Sequence, residues 1–198
     1  MEGQQAAGFR FKKFLFNRAL RILLITNGLI LLASAMLGPI YALYVQKVGG
    51  DLLDASLAGS IFAFIAGLTV LLSGKYSDKL PQKKLVVVMG YIIIGLGFLL
   101  YTKVNSIKFL LLVQVIIGFG DAIYNAPFDA LYSEHLDEGK DGTEWGTWEA
   151  MNYFATAAGA LIGGVLVTKF GFTPLFVIMA IMCFSSAFYV YFLPKRIL

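Results

Sequence analysis

The sequence predicts an all-α membrane protein of six transmembrane helices, and three features carry that expectation. Of its 198 residues, 59% are apolar and 14% charged, and the mean hydropathy is +0.78, outside the range of soluble domains. The apolar residues fall into runs near the ~20 residues needed to cross a hydrocarbon core about 30 Å thick. None of the runs alternates as a barrel strand does, so helices are the structures that satisfy every backbone polar group in lipid.

The runs place spans at 22–45, 56–73, 85–101, 107–132, 145–167 and 173–192, each boundary good to about four residues. Residues 1–21 precede them and interleave Arg10, Lys12, Lys13, Arg18 and Arg21 with Phe9, Phe11, Phe14 and Phe16. That mixture suits a cytoplasmic, interfacial lead-in. The apolar run after it is too long for a signal-peptide core. Residues 22–193 then form the bundle and 194–198 a short cytoplasmic tail. The lone cysteine, Cys183, lies inside the sixth span, so no intrachain disulfide can form.

Charge sets the orientation. With both termini inside, the inside segments hold Arg10, Lys12, Lys13, Arg18, Arg21, Lys75, Lys79, Lys83, Lys84, Lys140, Lys195 and Arg196, twelve in all. The outside segments hold only Lys47, Lys103, Lys108 and Lys169. Acidic residues weigh little in this rule, so the acid-rich connection from Glu134 to Glu144 does not oppose it. The expected location is the plasma (inner) membrane, multi-pass, with cytoplasmic termini. The net charge of +4 then reflects topology and gives no reason to expect a nucleic-acid partner.

The chain also resembles itself. GPIYALY at 38–44 is similar to APFDALY at 126–132, and GKYSDKLPQKKLVVVM at 74–89 to GVLVTKFGFTPLFVIM at 164–179, at shifts of 88 and 90 residues. An odd number of spans separates the copies, so units 22–101 and 107–192 are expected as inverted three-helix repeats. The copies pair Pro39 with Pro127, and each proline should kink its span.

Between the second and third spans stands Gly74-Lys75-Tyr76-Ser77-Asp78-Lys79-Leu80-Pro81-Gln82-Lys83-Lys84. It resembles the signature cytoplasmic loop of the major facilitator superfamily, G-x-x-x-D-R/K-x-G-R/K-R/K. Pro81 replaces the usual glycine and Gln82 a usual base. The resemblance implies a fold equivalent to the N-terminal half of that superfamily's transporters, with Gly74, Asp78, Lys79, Lys83 and Lys84 as a gating loop. It also implies that Asp78 meets the positive N-terminal end of a helix, which in full-length relatives is the eleventh. In a half-size chain that helix would be the fifth span of another subunit. The fifth span, with Gly146, Ala155, Gly159, Ala160, Gly163 and Gly164, is similar to the antiporter motif G-x(8)-G-x(3)-G-P-x-x-G-G of drug-extruding members, with alanine at one glycine and at the proline. Read from the residues alone, Gly159, Gly163 and Gly164 make a small-residue face for close helix packing, within the chain or between chains.

Ionisable residues at membrane depth are costly and mark candidate sites. Asp121 is the foremost, sharing a helical face with Gln114, Gly118 and Asn125. Family members often carry an arginine where Gln114 stands, before a Gly-x-Gly kept here as Gly118-Phe119-Gly120. Asp121 is expected to exchange a proton or bind a cationic group, or else to be held by Asn125 at a helix contact. Phe119, Tyr124 and Phe128 are nearby aromatic candidates, as organic-solute contacts or as packing residues. Further cavity candidates are Asn27 and Ser34, which share a face with Gly38 and Tyr41, and Glu149 and Asn152, which share one with Thr156. Glu149 also fits helix-start stabilisation or snorkelling.

Six helices supply one wall of a transport site, and an even number of spans lets two copies insert in the same orientation. The expectation is a secondary transporter of a small organic solute, a parallel homodimer with proton-coupled efflux. The alternatives are a non-transporting membrane subunit or one half of a heterodimer. The basic start and the Pro194-Lys195-Arg196 finish lead to the expectation of an unbroken chain. With no nucleophile–base set, metal spacing or phosphate loop, neither an enzyme nor a cofactor is expected. The lack of a filter-like re-entrant segment argues against a channel.

Overall fold

The computed structural model describes residues 17–77, 82–194 and 197. Helix α1 (Arg18–Leu37) starts at Asn17, whose Oδ1 accepts the Leu20 N–H at 2.9 Å, one of the orphan donors of a helix start. Pro39 cannot donate and its ring crowds the preceding turn, so the first span breaks into a 3-10 turn, Gly38–Ile40, before resuming as α2 (Tyr41–Lys47). Asp51 and Asp54 cap α3 (Leu52–Ser77) reciprocally, each carboxylate accepting the other's backbone N–H at 2.9 and 3.0 Å. Then follow α4 (Lys83–Tyr101), α5 (Ile107–Glu134) and α6 (Asp141–Phe170). Gly171, at φ +81°, lets the chain turn straight into α7 (Phe172–Tyr191).

Among the described residues six helices are long and apolar enough to cross a membrane, and every boundary falls within four residues of the expected one. The two prolines act differently. Pro39 is exposed beside Gly38, where nothing opposes the break, whereas Pro127 is buried and α5 runs unbroken through it, held by packing on both sides.

Neighbour relations are nearly unchanged when the first three spans are exchanged with the last three. The first span packs on α6 and α7, α5 packs on α3 and α4, and α4 meets α7; α6 also touches α7. Lipid tails are as apolar as the helices, so van der Waals fit has to hold such a bundle, and glycines provide it. In α5, Gly118 and Gly120 are two residues, about 200°, apart, so they face opposite neighbours. A Cβ at Gly118 would lie 2.7 Å from the Phe62 carbonyl oxygen of α3, and one at Gly120 would lie 2.7 Å from Ile93 of α4. The Gly-x-Gly pair is what lets α5 sit between α3 and α4. Interlocking rings fill the rest, with Tyr44, Tyr101, Phe172 and Phe176 in one stack. Tyr91, Tyr124, Phe128, Tyr132 and Trp145 form another.

The end of the bundle that carries both termini is tied by polar contacts. Lys83 pairs with Glu134 at the end of α5, and Lys84 Nζ donates to the Leu193 carbonyl at 2.7 Å, satisfying an orphan acceptor past α7. Asn17 Nδ2 donates to Asp137 Oδ1 at 3.3 Å and to the His135 carbonyl, which moors α1 to the α5–α6 link. Lys140, and then Asn17, hold the Asp137 carboxyl below the ordinary carboxylate range. A lowered folded-state pKa contributes stability that is present above the unfolded value of about 4 and fades as pH falls below it. Solvent screening keeps this contribution small. Replacing Asn17 with alanine removes both cap and tether and should cost ~1–2 kcal/mol, readable as a lowered thermal unfolding midpoint of the purified protein.

Candidate functional site

A recess of about 260 Å³ runs from mid-depth towards the end opposite the termini, lined by Ser34 and Leu37 of α1, the Gly38 turn, Tyr41 of α2, Gly59 and Phe62 of α3, Phe98 and Tyr101 of α4, and Gln114, Ile117 and Asp121 of α5. Asp121 is the fifteenth of the 28 residues of α5, about 21 Å along a helix of roughly 42 Å. Gln114 lies two turns towards the opposite end from the termini. Its Nε2 donates to the Tyr41 hydroxyl, so the break at Pro39 sets a ring across the top of the recess. Tyr44 on the same short helix donates to the Tyr101 carbonyl at 2.7 Å and fixes α2 against α4.

Of the residues expected to matter, Asp121, Gln114 and Ser34 converge here. Asn125 is half-buried one turn below Asp121, with its amide beside the carboxyl. Asn27 is elsewhere: it is buried in the bundle, and its Oδ1 meets no donor among the described residues. Asn152 and Glu149 sit on α6, which does not line the recess; Asn152 is half-buried and Glu149 exposed. Glu149 is eight residues past Asp141, about 12 Å along the helix, so stabilisation of the helix start does not account for it.

Of the two readings of the aromatic residues near Asp121, packing holds for Tyr124 and Phe128. Tyr124 and Phe128 are buried in the core stack, and Phe119 faces a separate pocket between α3, α4 and α5. The rings that do line the recess are Tyr41, Phe62, Phe98 and Tyr101. Tyr41 lies on the face it shares with Ser34 and Gly38, whereas Phe62, Phe98 and Tyr101 come from α3 and α4, and no spacing within one helix points to those three. Asp129 was missed on a signal the sequence does carry. It continues Asp121 and Asn125 at i+8, and this exposed acid extends a polar stripe towards the end with the termini.

The signature loop is only partly in view. Asp78 and Lys79 lie outside the described residues, Gly74 is half-buried in the last turn of α3, and Lys83 and Lys84 make the ties described above. The small-residue face divides. A Cβ at Gly159 would lie 2.8 Å from the Leu32 carbonyl oxygen, and one at Gly163 would overlap that of Met36. Both glycines are thus taken up within the chain against α1 and are not free to meet another subunit. Gly164 faces open space.

Six apolar helices of spanning length around a recess that holds Asp121 and Gln114 define a multi-pass helical membrane protein. The family model for the Major Facilitator Superfamily matches residues 23–197, and the chain belongs to that family. An uncharacterized MFS-type transporter of Methanocaldococcus jannaschii (MJ1317) is 28% identical over 171 residues, covering 83% of this chain and 42% of the relative. The multidrug resistance protein MdtG of Yersinia enterocolitica is 21% identical over 181 residues, and MdtG of Dickeya zeae 25% over 178, each alignment covering 88% of this chain and 43% of the relative. The chain spans less than half the length of these relatives.

Proposed function

We propose that the chain is half of a secondary transporter for a small organic solute, and that two copies in parallel orientation complete the carrier. The observation that carries this reading is the unequal covering of the spans. In α3 and α6 only 11% and 17% of the membrane-spanning window is buried, against 44–56% in the other four. Phe64 and Leu71 of α3 and Tyr153, Phe154 and Leu161 of α6 are among the large side chains left exposed. A recess walled by the first four spans, in a bundle that leaves α3 and α6 largely uncovered, suits a second bundle related by an axis along the membrane normal. The near-exchange symmetry of the helix contacts supports reading 22–101 and 107–192 as the inverted repeats that such carriers rock about.

In this scheme both termini are cytoplasmic, the Gly74–Lys84 loop is the gate, and Asp78 meets α6 of the second copy. Asp121 exchanges a proton with the solute's movement, and the names of the MdtG relatives suggest export of drug-like molecules. Asp129 and Asn125 form the polar stripe by which protons reach Asp121. The chain carries out no catalysis.

The purified chain reconstituted alone in proteoliposomes should accumulate a labelled solute when a pH gradient is imposed, and internal unlabelled solute should accelerate uptake, as alternating access requires. Absence of both would favour the other reading, a subunit that needs a separately encoded half.

A further inference from the structure

We propose that a groove between α3, α4 and α5, on the flank of the bundle away from the recess, holds an acyl chain of an anionic phospholipid whose headgroup rests at Tyr76 and Lys75. The lipid belongs to the leaflet on the side of the termini, which is the cytoplasmic leaflet in the orientation proposed above.

The groove encloses about 300 Å³, and on α5 its wall is Phe119, Ile123 and Pro127. Each of these precedes a member of the Asp121, Asn125 and Asp129 stripe by two residues, about 200° round the helix. The groove therefore lies on the opposite side of α5 from that stripe. Leu112, Val115, Ile116, Phe119, Ile123 and Ala126 make this side apolar, and Leu112 and Phe119 are exposed on it, so hydrocarbon is its solvent. On α3 the lining residues Thr69, Leu72, Ser73 and Tyr76 share one face. Phe64 and Leu71 stand about 180–200° from Ser73, so a second copy covering them leaves the groove open to lipid.

The depth of the groove is that of one leaflet. Thr69 stands eight residues from the end of α3 and Phe119 fifteen from the end of α5, about 12 and 22 Å along their helices, against ~15 Å for half a hydrocarbon core. The hydroxyls at this depth are already spent within the bundle. Thr69 Oγ1 donates to the Ile65 carbonyl at 2.8 Å, and Ser73 Oγ is shared between the Val70 and Ala122 carbonyls at 3.3 Å. Leu72, Val86 and the α5 residues supply the rest of the wall. The deep part thus offers an occupant no unspent donor and suits a methylene chain.

The mouth has a different character and selects the headgroup. Tyr76 is exposed at the end of α3, where an amphipathic ring sits at headgroup level. Lys75, exposed in the same turn, makes no salt bridge among the described residues, whose pairs are Lys83 with Glu134 and Lys140 with Asp137. Lys84 donates to the Leu193 carbonyl, which leaves its charge unneutralised. From Gly74 to Lys84 the sequence carries Lys75, Lys79, Lys83 and Lys84 against Asp78 alone. Lysines clustered beside a membrane helix attract anionic headgroups, whereas a zwitterionic head brings no net charge to answer them. A soluble anion would meet the lysines and leave the apolar groove unfilled.

The test uses the full chain in phosphatidylcholine nanodiscs doped with a phospholipid that carries a diazirine midway along one acyl chain. Its head is either phosphatidylglycerol or phosphatidylcholine, and labelled residues are located by peptide mass spectrometry after irradiation. With the anionic head, labelling should concentrate on Leu72, Val86, Phe119 and Ile123, and should exceed that with the zwitterionic head about five-fold or more. Phe188, exposed on α7, should label weakly and equally with both. Val86→Trp fills the groove and should cut labelling there at least about three-fold, while Leu71→Trp, on the opposite face of α3, should leave it unchanged. Lys75→Gln should lower the headgroup preference at least about two-fold and Lys75→Arg should keep it. Lys75 is exposed, so this pair reads the headgroup site even where Val86→Trp disturbs folding. Labelling spread evenly over the exposed faces overturns the proposal, as does groove labelling equal for the two heads or a preference unchanged in Lys75→Gln. Both faces of a nanodisc carry the same lipid, so a reversed orientation of the chain leaves these outcomes as they are.

Discussion

Replacing Gly163 with valine is expected to separate α6 from α1 and to cost about 3 kcal/mol or more, beyond ordinary overpacking. The reason lies in the backbone. A Cβ at Gly163 would overlap the Met36 carbonyl oxygen, and one at Gly159 a turn earlier would meet the Leu32 carbonyl and Ala35. Carbonyls in a packed helix cannot rotate away, so relief requires the two helices to move apart along their length. Gly164→Ala is the matched control, because nothing lies within 4 Å of the added carbon. Thermal unfolding in a mild detergent reads the contrast. Similar midpoints for the two variants would contradict the packing described here.

The second large effect concerns transport. Asp121→Asn keeps the shape of the side chain and removes its charge, so accumulation driven by a pH gradient should fall at least about ten-fold, the order of loss expected when a positioned proton-transferring group is removed. Solute exchange without a gradient should persist, since the recess keeps Ser34, Gln114 and its aromatic wall. Asp129→Asn should give a smaller loss, because that residue is exposed at the end of the stripe and other routes to Asp121 remain. Unchanged gradient dependence in Asp121→Asn proteoliposomes would remove this residue from coupling.

The six spans were legible because lipid imposes a length on every helix that crosses it. Their ends lengthened by a few residues where caps took hold, as Asn17 and Asp51 do. Asp121 and Gln114 were legible too, since the face they share is a property of one helix. What joins them was not. Phe62, Phe98 and Tyr101 reach the recess from α3 and α4, and the angular order of separate helices is set by packing that no single-helix period records. The same limit explains Phe128. It follows Asp121 by seven residues, nearly on one face, yet about 10.5 Å further along its ring is buried between those of Tyr124 and Tyr132 on the same helix and does not line the recess. The small residues of α6 announced close contact without saying with what. Gly159 and Gly163 meet α1, leaving the larger side chains of α6 to face whatever covers it.

The central claim is that a second copy covers α3 and α6. The most direct measurement is disulfide formation in membranes between Phe64→Cys on α3 and Phe154→Cys on α6, at similar depths on antiparallel helices and both exposed. Cys183 is buried and does not compete. The account predicts a covalent dimer when both cysteines are present, either in one chain or on separately tagged chains, and little when each is present alone. Exclusive recovery of monomer from the double-cysteine chain in a native-like bilayer would contradict it.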